Sequence, residues 1–399
     1  MNNKKYIIIG NSAAGIAAIR TLRSLDPHAT IICFSDELEK PYNKCFLADY
    51  ISGDKSEQQT YTLKKEQLDQ LSIDMRYGMA VVGINPQGRY ITLKNSAIES
   101  YDALLLATGT RPIVPNIEHI GSYSNVFAFH SLKSAHQLSS FIQERKPQKA
   151  VVIGAGLSGV EIADALTRHN IAVHLVERSE YLLSAHLTAK ASQFLESAMH
   201  KSGVHVHANK TVLKVEGDGD TAQSVILSDG TVIKTDLIVM TAGLVRNAEL
   251  ARNAGLTVDQ YGLVVNENLQ TSDQYIYAAG DIISTVDQIS GRAMASCTWP
   301  DAMQQGRYAA YAMAGQSKPY PGASIITSSA FFGLKFYSCG AKDDSALTVI
   351  ERSDDHCYRR YLLQGDKLKG FILLDDGKKF AQLKAILLTG QPINNQLID

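Results

Sequence analysis

Short, continuous apolar runs punctuate this chain, and several end in clusters of small residues followed by a helical pattern. Tyr6-Ile7-Ile8-Ile9 runs into Gly10-Asn11-Ser12-Ala13-Ala14-Gly15, after which Ile16, Ile19 and Leu22 recur at helical spacing. Ala150-Val151-Val152-Ile153 runs into Gly154-Ala155-Gly156-Leu157-Ser158-Gly159 in the same way. Apolar runs without alternation predict strands buried on both faces, as in parallel sheets covered by helices. The stretch 78–105 alternates instead, with a turn signal at Asn85-Pro86-Gln87-Gly88, and predicts a small antiparallel meander. A buried strand within 101–112 ends in Ala107-Thr108-Gly109, and Pro112 and Pro115 then mark a linker.

Further on, the pattern predicts a helix near 186–202 and hairpin strands around 211–215 and 225–233, with the turn at Asp229-Gly230. A strand over 236–243 ends at Gly243. A short strand then delivers Gly280 and Asp281, and 302–313 is an alanine-rich helix. From about residue 320 the chain reverts to strands, at 325–332, 347–350, 358–363 and 368–374, before a charged helical tail at 378–388. The fold class is therefore α/β: two Rossmann-like dinucleotide-binding domains plus a small C-terminal α+β domain.

The two glycine turns carry the chemistry. A strand–turn–helix leaves free backbone N–H groups at the start of its helix, a ready seat for a pyrophosphate. Gly10 permits the tight turn, and Gly15 lets helix and strand pack closely. Ser12 stands where the dinucleotide fingerprint has its second glycine. An acid about twenty residues on is expected to bind a ribose hydroxyl; Asp36 or Glu37 follows the strand Ile31-Ile32-Cys33-Phe34, and Glu177 ends the corresponding strand of the second unit. Two such units suggest two dinucleotides.

Composition narrows the classes. A chain of 399 residues has room for two or three domains. The net charge of −1 favours neither nucleic acid nor an anionic membrane surface, and no apolar run reaches membrane-spanning length. Five scattered cysteines, at 33, 45, 297, 339 and 357, fit neither a disulfide scaffold nor a metal site, so no metal is expected and a reducing cytoplasm is. The opening Lys4-Lys5 and the apolar run after it mimic a leader peptide. Asn11 and Ser12 break the run, and Arg20 and Arg23 mark an amphipathic helix instead.

Two other positions are candidate chemistry. Cys45 is either a small buried hydrophobe or a thiolate activated by Lys44 and a helix N-terminus. Asp281 lies at the carboxyl end of a strand, where open α/β sheets bind ligands, and otherwise reads as a helix cap.

The order of GNSAAG at 10–15, ATG at 107–109, GAGLSG at 154–159 and YAAGD at 277–281 resembles the FAD-dependent pyridine nucleotide oxidoreductases, the two-dinucleotide-binding flavoproteins. The resemblance covers nearly the whole chain. It implies a discontinuous FAD domain (1–112 and 243–320), an inserted NAD(P) domain (113–242) and a C-terminal domain (321–399) folded against the flavin. Gly10, Ser12, Ala13, Ala14 and Gly15 would hold the FAD pyrophosphate. Asp36, with Glu37 beside it, would hold the adenosine ribose. Val81 would touch the adenine through its backbone. Ala107, Thr108, Gly109, Gly280 and Asp281 would complete the site. Gly154, Gly156, Leu157, Ser158 and Gly159 would hold the nicotinamide nucleotide, with Gly243 at the close of that unit. Glu177 would sit on its ribose and Glu161 near its amide. Glu177 would repel a 2′-phosphate, which favours NADH, while Arg178 keeps NADPH admissible.

Within the family, YNKCFLADYISG at 42–53 and TWPDAMQQGRYAAYAMAG at 298–315 resemble the rubredoxin-reductase and nitrite-reductase flavin-module branch. That branch can carry a lysine paired with the glutamate at position 161; here the position is Asp49. Its implied acceptor is a small redox protein or a partner reductase. Cys45, measured from Gly10, falls instead at the redox cysteine of the branch that includes coenzyme A disulfide reductase, implying a small disulfide or persulfide as acceptor. Ala13 replaces the histidine of the peroxidase and oxidase members, and no CxxxxC pair exists. Lys44, Cys45 and Glu161 are the candidate catalytic residues. A third reading is a flavoprotein with a structural or signalling role, liganded by NADH. A homodimer is compatible with all three.

Overall fold

The computed structural model describes residues 3–295, 298–342, 344–354 and 357–398; Cys297 lies outside them. The chain forms two compact units. One comprises the chain up to Cys45, Glu57–Arg111 and Val245–Ser324; the other comprises Phe46–Ser56, Pro112–Leu244 and the chain from Ile325 onward.

The first unit is built on a five-stranded parallel sheet in the order Ile276–Ala278, Ala103–Leu106, Lys5–Ile9, Thr30–Phe34, Asp74–Arg76. Ile7 lies opposite Ile32 on one side and Leu104 on the other, and Ile7 and Leu104 are wholly buried. That is why these strands read as unbroken apolar runs: both faces are covered. The helices Ala13–Leu25 and Trp299–Met313 cross closely. A Cβ on Gly306 would stand 2.1 Å from the Ala14 carbonyl oxygen, so no larger residue fits at that crossing. The expected meander is Val81–Asn85, Tyr90–Leu93 and Ile98–Ser100, antiparallel throughout.

The second unit repeats the plan, with a parallel sheet in the order Val204–His207, Ala172–Val176, Lys149–Ile153, Leu237–Met240, Val126–Ala128. The region 211–233 differs from the sequence expectation. Three strands, Val212–Asp218, Thr221–Leu227 and Val232–Lys234, replace the single hairpin. The Asp229-Gly230 turn, with Gly230 at φ +84° and Asp229 Oδ1 accepting from Thr231 N, joins the second strand to the third. The first hairpin turns at Gly219, φ +56°, among polar residues that interrupt no apolar run.

The C-terminal part of this unit is a five-stranded antiparallel sheet in the order Ile326–Phe331, Leu334–Gly340, Lys367–Leu374, Tyr358–Gln364, Thr348–Ser353, carrying the helix Phe380–Thr389. Leu334–Gly340 is absent from the sequence-predicted strands. It follows a two-residue turn in which Phe332 (φ +52°) and Gly333 (φ +76°) are both left-handed, and a phenylalanine there hides the turn inside an apolar run. A partly buried network fastens this sheet to the nucleotide-type fold. Tyr358 OH lies 3.1 Å from Thr188 Oγ1 and donates to Glu351 Oε2 at 2.8 Å, and Glu351 also pairs with Lys190 and Arg360, each at 2.8 Å. No helix among the described residues is long and apolar enough to cross a membrane.

Candidate active site

The two glycine turns are near copies. Gly10 has φ +111° and Gly154 φ +104°, values only glycine adopts freely. A Cβ on either would strike the neighbouring strand's exit, 2.1 Å from Ala107 O or 2.6 Å from Thr241 O. A Cβ on Gly15 would stand 1.9 Å from Gly10 O, and one on Gly159 1.9 Å from Gly154 O. Each turn is anchored by a 2.8 Å hydrogen bond from its first glycine to the end of the next strand, Gly10 N to Phe34 O and Gly154 N to Val176 O.

The helices behind these turns are left uncapped. Ser12 and Gly156 occupy the N-cap positions in extended conformation, and neither provides a side-chain cap. The helices starting after Ser131, Thr188 and Thr298 all receive one. Unanswered N–H groups at Ala13, Ala14 and Gly15, and at Leu157, Ser158 and Gly159, are what a diphosphate would satisfy. A Cβ on Gly156 would meet nothing within 4 Å, so that glycine faces open space, where a phosphate could approach.

Around the first turn, Asn11 is buried and ties the loop down: its amide donates to Glu39 O at 3.2 Å, and its carbonyl accepts from Ser35 Oγ at 3.2 Å. The two candidate acids separate. Asp36 is exposed, whereas Glu37 accepts from Tyr42 OH at 2.8 Å and lies 3.9 Å from Lys44 Nζ. Val81 is half-buried at the start of its strand. Thr108 and Gly109 are bracketed by Asn247, whose side chain donates to Thr108 O at 2.8 Å and whose N–H donates to Gly109 O at 3.0 Å. Gly280 N donates to Oε1 of the buried Gln305 at 2.7 Å. Asn247 and Gln305 are missed by sequence reasoning: Asn247 belongs to no motif, and nothing within TWPDAMQQGRYAAYAMAG at 298–315 singles out Gln305.

Asp281 does not cap a helix. Its surroundings are dense protein that pushes its carboxyl above the usual range, with Lys44 and Arg246 pulling it back and Asp301 pushing it further. Among the described residues, the buried Nε of Arg246 has no hydrogen-bond partner. Cys45 is exposed, in the turn Lys44–Phe46 that precedes the helix Leu47–Ser52, and its N–H donates to Asn43 Oδ1 at 3.0 Å. The buried-hydrophobe reading of Cys45 is thereby overturned: the turn leaves its side chain at the surface.

In the second unit, Glu177 closes its own glycine turn. Its carboxylate accepts from Ala155 N at 2.6 Å and Ser179 N at 2.8 Å. Gly243, φ +113°, accepts from Ile113 N at 2.9 Å through its carbonyl oxygen. Glu161 lies in the helix Leu157–Thr167, where Oε1 accepts from Ser329 Oγ at 2.8 Å. Burial pushes its carboxyl up to about 7; Ser329 opposes the rise and the Asp49 charge adds to it. Asp49 is paired with Lys55 at 3.6 Å. A cavity of about 330 Å³ in this unit, lined by Tyr50, Lys55, Ser139, Gln143 and His169 among others, contains none of the expected site residues. Among the described residues no cluster suited to a metal ion occurs.

Residues 4–306 match the family described as pyridine nucleotide-disulphide oxidoreductase. The chain is 26% identical over 393 residues to the nitrite reductase (NAD(P)H) of Bacillus subtilis, covering 97% of this chain but 47% of that protein, so it spans about half the relative's length. Two solved structures superpose closely. The covalent putidaredoxin reductase–putidaredoxin complex gives a TM-score of 0.92 at 26% identity, covering 100% of this chain and 96% of that one. Reduced CoADR-RHD of Bacillus anthracis gives 0.92 at 26% identity, covering 98% and 75%.

Proposed function

Because this chain belongs to the pyridine nucleotide-disulphide oxidoreductase family, we propose that it is an NADH-dependent FAD reductase that hands electrons to a small redox protein or a partner reductase. The observation that carries this reading is the pair of matched, uncapped glycine turns, one in each unit. We assign FAD to the unit containing Gly10 and the nicotinamide nucleotide to the unit containing Gly154.

Each group of residues has a task in this reading. The N–H groups of Ala13, Ala14 and Gly15 bind the FAD diphosphate, Asp36 its adenosine ribose and Asp281 the region between diphosphate and ring. The N–H groups of Leu157, Ser158 and Gly159 bind the nicotinamide nucleotide's diphosphate. Glu177, already held by Ala155 and Ser179, keeps a negative charge where NADPH would bring its 2′-phosphate, so NADH is the preferred donor. Bound flavin supplies the conversion of a two-electron hydride into electrons an acceptor can take singly. Similarity to a reductase crystallised with its redox-protein partner supports a protein acceptor. Half-length similarity to a nitrite reductase supports a partner module. A reducing cytoplasm and a homodimer complete the proposal.

The exposure of Cys45 favours one second reading, a thiol that reduces a small disulfide or persulfide, supported by likeness to CoADR-RHD. Anaerobic titration tests the main proposal: one equivalent of NADH should bleach the flavin spectrum of the FAD-loaded protein. A purified protein that takes up no flavin on reconstitution refutes it.

A further inference from the structure

The first unit holds two opposite charges, Asp281 and Arg246, that act on each other yet form no direct hydrogen bond or ion pair among the described residues. Asp281 is crowded by protein and only partly reached by solvent, yet among the described residues its carboxylate takes no hydrogen bond, and Lys44, Arg246 and Asp301 act on it through their charges alone. Arg246 is half-buried, and its Nε–H is sealed from solvent without an acceptor among the described residues. Lys44, the other cation acting on Asp281, is within 3.9 Å of Glu37. Native proteins rarely leave charged groups unsatisfied, because each costs its full desolvation penalty. Such a pair is what a bound ligand would complete.

The sheet order says which half of the ligand. In the proposed function the adenosine end of FAD goes with Asp36, which follows Thr30–Phe34 beside the edge strand Asp74–Arg76, and with Val81, which opens the next strand in sequence after that edge. The ring end therefore runs the other way, past Ala103–Leu106 and Ile276–Ala278. Arg246 immediately precedes Asn247, which brackets the Thr108-Gly109 turn leaving Ala103–Leu106, and Asp281 follows Ile276–Ala278. Both charges lie in the ring half.

We propose that Arg246 tunes the reduction step: its guanidinium, which makes no direct pair with Asp281 and whose Nε–H has no acceptor among the described residues, favours the negative charge that the flavin ring acquires with hydride. The balance is simple. NADH loses a hydride and becomes NAD⁺; the ring gains two electrons and one proton together, and ends one unit more negative. No other oxidant or proton donor is needed. A cation in a site of low dielectric then raises the ring's affinity for electrons. The inference rests on FAD occupying the first unit.

The experiment uses FAD-loaded wild type, Arg246→Met, Arg246→Gln and Arg246→Lys, with flavin content and midpoint potential measured on each by dye equilibration. Both neutral variants are expected to retain FAD while their reduction equilibrium falls about tenfold or more, roughly 30 mV for a two-electron couple. Arg246→Lys should restore most of the loss. An unchanged potential in a fully loaded neutral variant overturns the inference. So does weakened FAD binding with unchanged potential in the molecules that remain loaded, since the guanidinium would then serve the diphosphate. A wild type that binds no FAD refutes the functional reading itself, a distinguishable failure.

Discussion

Ser329 donates a 2.8 Å hydrogen bond to Glu161 Oε1, joining the first strand of the C-terminal sheet to the helix behind the second glycine turn. The residue near Glu161 is Asp49, where the family resemblance offers a lysine, so the carboxyl faces a like charge rather than a cation. Lys55 answers Asp49 at 3.6 Å. Burial, with the Asp49 charge adding to it, sets Glu161 up to hold its proton into the neutral range.

The sign of the pH effect follows. Burial raises the folded-state pKa of Glu161 to about 7, above its unfolded value. The folded chain thus binds a proton that the unfolded chain releases. The associated stability is fully present below the ordinary carboxyl range and is lost as pH rises through about 7. The amount is on the order of 3 kcal/mol at most. Glu161→Gln should flatten the stability curve across that window in urea unfolding at a series of pH values. A wild-type curve unchanged by the substitution would contradict the assignment.

Gly159→Ala and Gly156→Ala should separate fold from binding. The first places a Cβ 1.9 Å from Gly154 O and should destabilise the second unit by about 1–3 kcal/mol or more. The second meets open space at an ordinary φ of −71°, and should leave stability intact while raising the KM for NADH about tenfold. Denaturation midpoints and steady-state kinetics on both variants check the contrast.

Glu177→Ala removes two acceptors from the N–H groups of Ala155 and Ser179. Each hydrogen bond to a charged group is worth about 1.5–3 kcal/mol, so the glycine turn should lose stability by that order, and loss of the proposed ribose contact should lower NADH affinity about tenfold. Preference for NADH over NADPH should shrink at the same time. Measured kcat/KM for the two nucleotides would show it; unchanged selectivity would remove Glu177 from the ribose site.

Cys45→Ser decides between the two acceptors. A flavin reductase should lose less than about twofold in NADH-dependent reduction of a one-electron acceptor, an effect under about 0.5 kcal/mol. Loss of turnover with low-molecular-weight disulfides, where wild type shows it, would establish the thiol reading instead.

Tyr358→Phe removes the hydroxyl that links Thr188 to Glu351 in the buried seam of the second unit. The expected cost is about 1–3 kcal/mol, read from urea unfolding.

Much of the architecture is written locally. The strand–glycine–helix units at 10–15 and 154–159 are legible because a positive φ at the first glycine and a missing Cβ at the last are demands that neighbouring residues alone can reveal. The parallel sheets are legible because strands covered on both faces cannot alternate. Other features are set by distant partners. Asn247 meets Thr108 across 139 residues, Ser329 meets Glu161 across 168, and Gln305 meets Gly280 across 25. The hairpin turn at Phe332 is hidden by its own hydrophobicity, and neither the exposure of Cys45 nor the missing acceptor at Arg246 Nε shows in their neighbours. Local pattern settles backbone conformation because steric limits act over a few residues; the partner of a buried polar group is settled only when chain closure brings remote segments into one low-dielectric space.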